Sequence, residues 1–205
     1  ESHSYIHKFD YNDLEQVRDY FKKYPDDIAA VITEAVEHEA PQEHYLEDLK
    51  TLCHEHGALL IFDEIVNGFH FGIGGAQAYF GVTPDLSTFG KAMANGMPLA
   101  MVAGRKDIME DVDPKVFIST TFGGECLSLA AGIAVMKELE SGEVTKAIWA
   151  KGKYLQDNFR KLAKDIGVPI DLIGYPCRMN FDYTDYEGRR DWLYNYIFMQ
   201  ESVKR

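Results

Sequence analysis

Two residues in this sequence sit where chemistry is plausible on residue type and spacing alone: Lys91 in "STFGKAMANGMP" and Asp63 in "ALLIFDEIVNGF". Phe89, Ala92, Met93 and Met97 flank Lys91 and predict that it is buried. Burial disfavours the charged ammonium and lowers its pKa, which makes the amine a usable nucleophile toward aldehydes, with which it forms Schiff bases. Asp63 ends the apolar run Leu59, Leu60, Ile61 and Phe62, a pattern that reads as a buried strand of a parallel sheet. Such strands deliver charge into the crevice at their carboxyl ends. An acid there suits the ring nitrogen of pyridoxal phosphate, because an ion pair keeps the pyridinium protonated and lets the ring act as an electron sink. The remaining need is a phosphate site. The stretch "STTFGGE", Ser119 to Glu125, offers hydroxyls and flexible backbone before a helix start, where free N–H groups and the helix dipole favour an anion.

Other chemistries fit less well. A nucleotide hydrolase would also place an Asp-Glu pair after an apolar strand, but Gly90-Lys91 is followed by Ala92 rather than Ser or Thr, and Asp85 stands where the leading glycine belongs. The loop "FGIGGAQ" has Gln77 where a dinucleotide fingerprint needs its third glycine. Cys53, His54 and His56 do not converge on one helix face as metal ligands would, so no metal is expected.

The elements that must position these residues follow from periodicity. Asn12 and Glu15 resemble a capping arrangement for a helix carrying Leu14, Val17, Phe21 and Tyr24, which Pro25 ends. Ile28 to Ile32 reads as a buried strand that leads to Glu34. Pro41 opens a helix with Tyr45, Leu49, Leu52 and His56 on one face, and Gly57 closes it before the strand Ala58 to Phe62. Strand, helix and strand in this length make a right-handed βαβ unit. A short helix over Ala76 to Phe80, a strand over Leu86 to Phe89 and another over Leu99 to Ala103 follow. Glu125 to Leu139 is apolar on nearly all sides and predicts a buried helix. Beyond Ser141-Gly142, a long amphipathic helix runs from Val144 to Ile166, Met179, Phe181 and Tyr183 alternate as a strand, and Trp192, Tyr196, Met199 and Val203 mark a last helix. The composition shift near Ser141 divides the chain into residues 1–141 and 142–205.

Composition narrows the function classes. The 205 residues are 46% hydrophobic and 26% charged, enough to bury a sizeable core, and the formal net charge is −12. No basic stripe with interleaved aromatics appears, so nucleic acid and anionic membranes are not expected partners. No apolar run is long enough to span a membrane. The three cysteines are scattered, without a C-x-x-C pair, and read as reduced thiols of a cytoplasmic protein. Glu1 opens the chain without methionine, and Arg205 ends it inside a helical pattern, so both ends read as cut.

The strings "LLIFDEIVNGF", "GGAQAYFGVTPDLSTFGKAMANGMPLA" and "TTFGGE", in this order and spacing, resemble the class III aminotransferases of the fold type I pyridoxal-phosphate enzymes. They look most like glutamate-1-semialdehyde 2,1-aminomutase and its transaminase relatives. The likeness is strongest from Ile28 to Leu139, and the 28 positions between Asp63 and Lys91 fit the family's spacing.

The resemblance implies an α/β fold, three-layer αβα with a mostly parallel sheet. Residues 1–141 would be part of the cofactor-binding large domain and 142–205 part of a small α+β C-terminal domain. It implies that Lys91 carries the cofactor and shuttles the substrate proton, that Asp63 pairs with the pyridine nitrogen, and that Ile65 packs against one ring face. Thr121 matches the threonine that reaches the phosphate of a neighbouring subunit, which implies a homodimer with shared sites. Glu34 matches a glutamate near the cofactor in a supporting role. The substrate would be a small amino acid or amino sugar.

Two departures leave that substrate open. The family's Thr-Gly-Phe followed by arginine is Asn67-Gly68-Phe69 followed by His70, and its Asn-Pro after Thr-x-x-Gly is Glu125-Cys126. The family is about twice this length, so the chain reads as a fragment. Amino transfer, aminomutase exchange and an inactive structural or dimerisation module are the readings carried forward.

Overall fold

The computed structural model describes residues 5–110, 116–184, 187 and 192–204; Glu1 and Arg205, the two chain ends, lie outside them. Two compact units form, Glu1–Val36 with Ala40–Thr145, and Glu37–Glu39 with Lys146–Arg205.

In the first unit, α1 (Leu14–Lys23) buries Val17 and Phe21, one helical turn apart. Its cap is Asp13 rather than Asn12, because the Asp13 carboxylate accepts from the Gln16 N–H at 2.9 Å. Asn12 instead bridges two backbone groups, accepting from the Gln42 N–H at 2.9 Å and donating to the Ala40 carbonyl at 3.0 Å. Strand β1 (Ala30–Thr33) precedes α2 (Tyr45–Glu55), which buries Leu46, Leu49, Leu52 and Cys53, and β2 (Leu59–Asp63) follows. After α3 (Gly75–Phe80) come β3 (Leu86–Phe89), a 3-10 turn (Lys91–Met93) and β4 (Met101–Gly104). The strand order is β1-β2-β3-β4. β1, β2 and β3 run parallel, and β4 is antiparallel to β3, so the sheet is mostly parallel within an α/β fold.

Strand parity decides what is buried. Val31, Leu60, Phe62 and Phe89 are buried, whereas Ile32 and Val102 on the alternate face are 62% and 53% exposed. The short helix α4 (Lys106–Met109) leads to α5 (Cys126–Glu140). This last helix departs from the expectation of burial. Only Ser128, Gly132 and Leu139 are buried along it, while Leu127 and Ile133 are 65% and 57% exposed. An all-round apolar composition fixes how much surface could be buried, but the described residues cover a single stripe of it.

In the second unit, α6 (Glu143–Ile166) crosses the division at Thr145 and carries Gln156, which donates to the Gly174 carbonyl at 3.0 Å. Strands β5 (Ile170–Tyr175) and β6 (Arg178–Tyr183) form an antiparallel hairpin, of which the sequence periodicity marks only the second. Helix α7 (Trp192–Val203) sets Phe198 against Phe181 at 4.7 Å between ring centroids.

One buried carboxylate joins three elements of the first unit. Asp85, 1% exposed, accepts from the Leu60 N–H at 2.8 Å, from Arg105 at 2.9 Å, and lies 2.9 Å from His54 Nε2. Its own N–H donates to the Leu60 carbonyl at 2.9 Å. Burial works to raise its pKa, but the hydrogen bonds from Leu60, Arg105 and His54 outweigh it and hold the carboxyl below the usual range. The same contacts account for His54, and His56 stacks on Phe21 at 4.5 Å. Among the described residues no group of three His, Cys, Asp or Glu side chains could hold a metal.

Glu64, directly after β2, is fully buried. Its carboxylate accepts from the Ala76 N–H at 3.0 Å and the Gln77 N–H at 2.7 Å, the first turn of α3. Gly75 makes this possible: its φ is +72°, and a Cβ there would stand 2.8 Å from Glu64 Oε2. Burial pushes the Glu64 carboxyl up, against the pull of the Gln77 and Ala76 N–H groups.

Two outcomes follow. Asp85→Ala loses about 2 kcal/mol in urea unfolding, because the Leu60 N–H is left buried and unpaired while Arg105 and His54, both partly exposed, recover water. A carboxyl whose folded pKa lies below its unfolded value stabilises the fold above the unfolded value of about 3.9 and loses that contribution as pH falls through the folded one. The acid-induced loss is therefore smaller in Asp85→Ala than in the parent chain. Glu64→Ala costs about 2 kcal/mol and speeds amide hydrogen exchange at Ala76 and Gln77 relative to the sheet; unchanged protection there would overturn the cap.

Candidate active site

The carboxyl ends of β1, β2 and β3 bring the candidate residues to one edge of the sheet. Asp63 pairs in register with Thr88, and Lys91 follows three residues later. Asp63 Oδ1 accepts from the Ile65 N–H at 2.9 Å and from the Thr88 hydroxyl at 3.4 Å, which fixes the carboxylate plane. Asp63 Oδ2 has no hydrogen bond among the described residues. Ile65 lies beside Gly90, with its Cγ2 3.7 Å from where a Cβ on Gly90 would stand, so an aliphatic side chain borders the backbone that carries Lys91.

Lys91 has φ +43°, a left-handed conformation that costs a non-glycine residue energy and is sustained by its surroundings. Those surroundings are the cluster of Phe69, Phe89, Met93 and Leu139, with Ala92, Leu99 and Met101 packed on it. Only the backbone and the flanking apolar residues are anchored this way. The Lys91 side chain itself is exposed, contrary to the burial expected from its neighbours. Phe89 and Met93 turn into the core, and the 3-10 turn throws the lysine outward. It opens onto a cleft of about 570 Å³ lined by His70, Lys91, Ala92, Asn95, Gly96, Met97 and Pro98. No carboxylate lines it.

Glu34, just past β1, is partly buried and accepts from the Asn67 side-chain amide at 3.1 Å. Asn67 is fully buried and also donates to the Val36 carbonyl at 2.9 Å. It thus ties the segment after β1 to the segment after β2. Sequence reasoning missed this link and the Thr88 bond to Asp63. The signals for them were the asparagine standing where the family carries threonine, and the in-register position across a parallel pair.

In the stretch before α5 it is the helix start, not Thr121, that departs from expectation. Thr121 is exposed and does not line the Lys91 cleft. The start of α5, read as an anion site, is taken by the chain's own Glu125, whose carboxylate accepts from the Ser128 N–H at 2.6 Å and the Leu127 N–H at 2.9 Å. Hydrogen bonding at Ser128 holds that carboxyl below its ordinary range, so it stays charged on the positive end of the helix.

The residues present fit pyridoxal phosphate on its ring and aldehyde sides: a carboxylate with one oxygen unengaged, an aliphatic neighbour and an outward-facing amine. They offer no comparable cradle for the phosphate among the described residues.

The chain is similar to known proteins of one family. The family described as Aminotransferase class-III matches residues 4–174. A 3-aminobutyryl-CoA aminotransferase of Cloacimonas acidaminovorans is 38% identical over 177 residues, 83% of this chain and 43% of that protein. A glutamate-1-semialdehyde 2,1-aminomutase of a Sulfurihydrogenibium species is 37% identical over 86% of this chain and 43% of its own length. The chain therefore spans less than half the length of these curated relatives. Among solved structures, a β-phenylalanine aminotransferase from Variovorax paradoxus superposes with a TM-score of 0.76 and 28% identity, over 89% of this chain and 44% of that one. The FumI protein of a Sphingopyxis species, solved in its PLP internal aldimine form, superposes with a TM-score of 0.80 and 25% identity, over 88% and 45%. By its sequence, its mostly parallel sheet and its likeness to these structures, the chain belongs to the class III aminotransferase family.

Proposed function

We propose that this chain carries the lysine and the ring-nitrogen acid of a pyridoxal-phosphate-dependent amino-group transferase acting on a small amino substrate. The observation that supports it best is the in-register pairing of Asp63 with Thr88, which sets an acid with an unengaged oxygen beside the strand position three residues before an outward-facing lysine. When bound, the cofactor supplies an aldehyde that condenses with amines and a ring that accepts electrons from the substrate carbon.

In this reading Lys91 Nζ is the resident amine. Nζ would also take up and return the proton of the substrate α-carbon. Asp63 Oδ2 would hold the protonated ring nitrogen, and its Oδ1 accepts from the Ile65 N–H and the Thr88 hydroxyl, so the carboxylate is oriented in advance. Ile65 would border one ring face, and Glu34, which accepts from the Asn67 amide, would have a supporting role. Residues 1–141 would belong to the large domain and 142–205 to the start of the small one.

A homodimer with shared sites is part of the proposal. Phe117, Ile118 and Phe122 around Thr121 are 92%, 70% and 58% exposed, a setting suited to contact with a second copy. A reduced cytoplasmic setting accords with three free cysteines, of which Cys53 is buried with its thiol pushed up to about 12 by burial and by the charge of Asp85. No helix among the described residues is long and apolar enough to cross a membrane. The likeness to aminomutases supports intramolecular amino exchange as a second reading, which uses the same residues of this chain.

Borohydride reduction after addition of pyridoxal phosphate, followed by peptide mapping, is expected to label Lys91. Lys91→Ala loses the label and keeps its circular dichroism spectrum. Asp63→Ala keeps the label but slows solvent deuterium exchange at the substrate α-carbon by about a hundredfold. A label retained in Lys91→Ala overturns the site, and a folded chain with no label at all supports the structural-module reading instead.

A further inference from the structure

We propose that Asn95 is a self-modification site: its side-chain amide is lost to attack by the Gly96 backbone nitrogen, and the carboxylate left behind biases Lys91 toward its unreactive ammonium form. The loss of the amide stands on the geometry of the turn and not on the amino-transfer reading.

The chain contains two Asn-Gly pairs, Asn67-Gly68 and Asn95-Gly96. Glycine makes such a pair labile, because no side chain hinders the approach of its nitrogen to the asparagine side-chain carbon. The fold treats the two pairs oppositely. Asn67 is fully buried, and its amide donates to Glu34 at 3.1 Å and to the Val36 carbonyl at 2.9 Å. The Gly68 N–H donates to the Glu64 carbonyl at 2.7 Å, and a Cβ on Gly68 would stand 2.6 Å from that oxygen. The attacking nitrogen and the carbon under attack therefore meet only by breaking buried hydrogen bonds, which is costly.

Asn95 and Gly96 have none of these restraints. Both are exposed, and both line the cleft onto which Lys91 opens. Among the described residues neither the Asn95 side chain nor the Gly96 N–H makes a hydrogen bond. Asn95 has φ +45° and Gly96 φ +111°, two consecutive positive values. That turn explains why this pair stands here, since asparagine and glycine adopt positive φ at lower cost than other residues. The bond that closes it, from the Met97 N–H to the Ala94 carbonyl at 3.2 Å, flanks the pair and engages neither member. The turn thus demands a labile pair and leaves it unguarded.

The step balances with water as its co-reactant. The Gly96 nitrogen bonds to Asn95 Cγ, the Cγ–Nδ2 bond breaks, and Nδ2 takes up the proton from the glycine nitrogen and leaves as ammonia. Water then opens the cyclic imide at either of its carbonyls. One opening restores the main chain with aspartate, and the other routes the main chain through the side-chain carbon as isoaspartate. Both leave a carboxylate at position 95. No acid lines the cleft before this step. An opposite charge placed there favours the Lys91 ammonium over the free amine, and the free amine is the form that attacks aldehydes and acylating agents.

The test ages the 205-residue chain at mildly alkaline pH, native and in urea, and maps it by tryptic peptide mass; cleavage at Lys91 puts the two pairs in different peptides. The mass gained when an amide becomes a carboxyl, with aspartate and isoaspartate resolved by chromatography, is expected at Asn95 but not at Asn67 in the native chain, and at both in urea. Lys91 reactivity is read by acetylation with an amine-selective ester, which needs no cofactor. It is expected to slow about threefold in Asn95→Asp, the scale of an exposed ion pair. The aged parent chain, whose acetylation slows in proportion to its conversion, keeps the test decisive even where Asn95→Asp folds poorly. Native conversion at Asn95 no faster than at Asn67 overturns the site. Acetylation of Lys91 at the unaged rate in the converted chain overturns the consequence drawn for the lysine. Both expected results without pyridoxal-phosphate labelling of Lys91 remove the amino-transfer reading and leave the modification standing.

Discussion

The bonds that Asp85 accepts from Leu60, Arg105 and His54 are the constraint from which the site's geometry follows. They lie at the end of β3 opposite Lys91, and they lock β3 against β2 in a single register. A slip of one residue between parallel strands turns every side chain to the other face. It would take Asp63 out of line with Thr88, and with it the oxygen-to-hydroxyl bond that orients the acid. A buried carboxylate is costly unless satisfied, and here the bond from the Leu60 N–H also specifies which positions of β2 and β3 face one another, while those from His54 and Arg105 complete its satisfaction.

The same economy explains the adjacent acids Asp63 and Glu64. They are consecutive and so point in different directions, and the chain uses both. Asp63, the last residue of β2, stays partly exposed at the sheet edge with one oxygen unengaged. Glu64, one residue on, goes fully inside and caps α3. The glycines that follow serve that cap. Gly75 is glycine because a side chain there would strike the Glu64 carboxylate, so a glycine pattern that superficially invites a nucleotide reading is explained by helix capping.

Much of this was legible in the residues. The βαβ unit, the strand ending in Asp63 and the turn carrying Lys91 follow from local periodicity, and the spacing of the two chemical residues carried the family resemblance. Properties set by what lies across space were not legible. Phe89, Met93 and Met97 flank Lys91 in sequence and suggested a buried lysine, yet the 3-10 turn sends Phe89 and Met93 one way and the lysine the other. The start of α5 read as open to an anion because Glu125 was counted as the end of a motif rather than as a side chain able to fold back onto Ser128. Asp85 entered the sequence reading only as a mismatch to a phosphate loop. Its partners lie 25, 20 and 31 positions away, beyond any local pattern.

Exposure is the thread connecting the lysine to the rest of the surface. Ile32 and Val102 on one sheet face, and Leu127 and Ile133 on α5, are apolar and exposed, although their sequence patterns are those of core elements. Lys91 belongs to the same set: its backbone is anchored as a core residue's would be, while its amine meets solvent. An amine gains nucleophilic character at neutral pH when its ammonium form is desolvated. Under the proposed function, the positioning of Lys91 is therefore internal to this chain, whereas the tuning of its amine depends on whatever surface closes over the cleft. Positioning and tuning are physically separable, because a strained turn held by Phe69, Phe89 and Met93 aims the side chain without desolvating it.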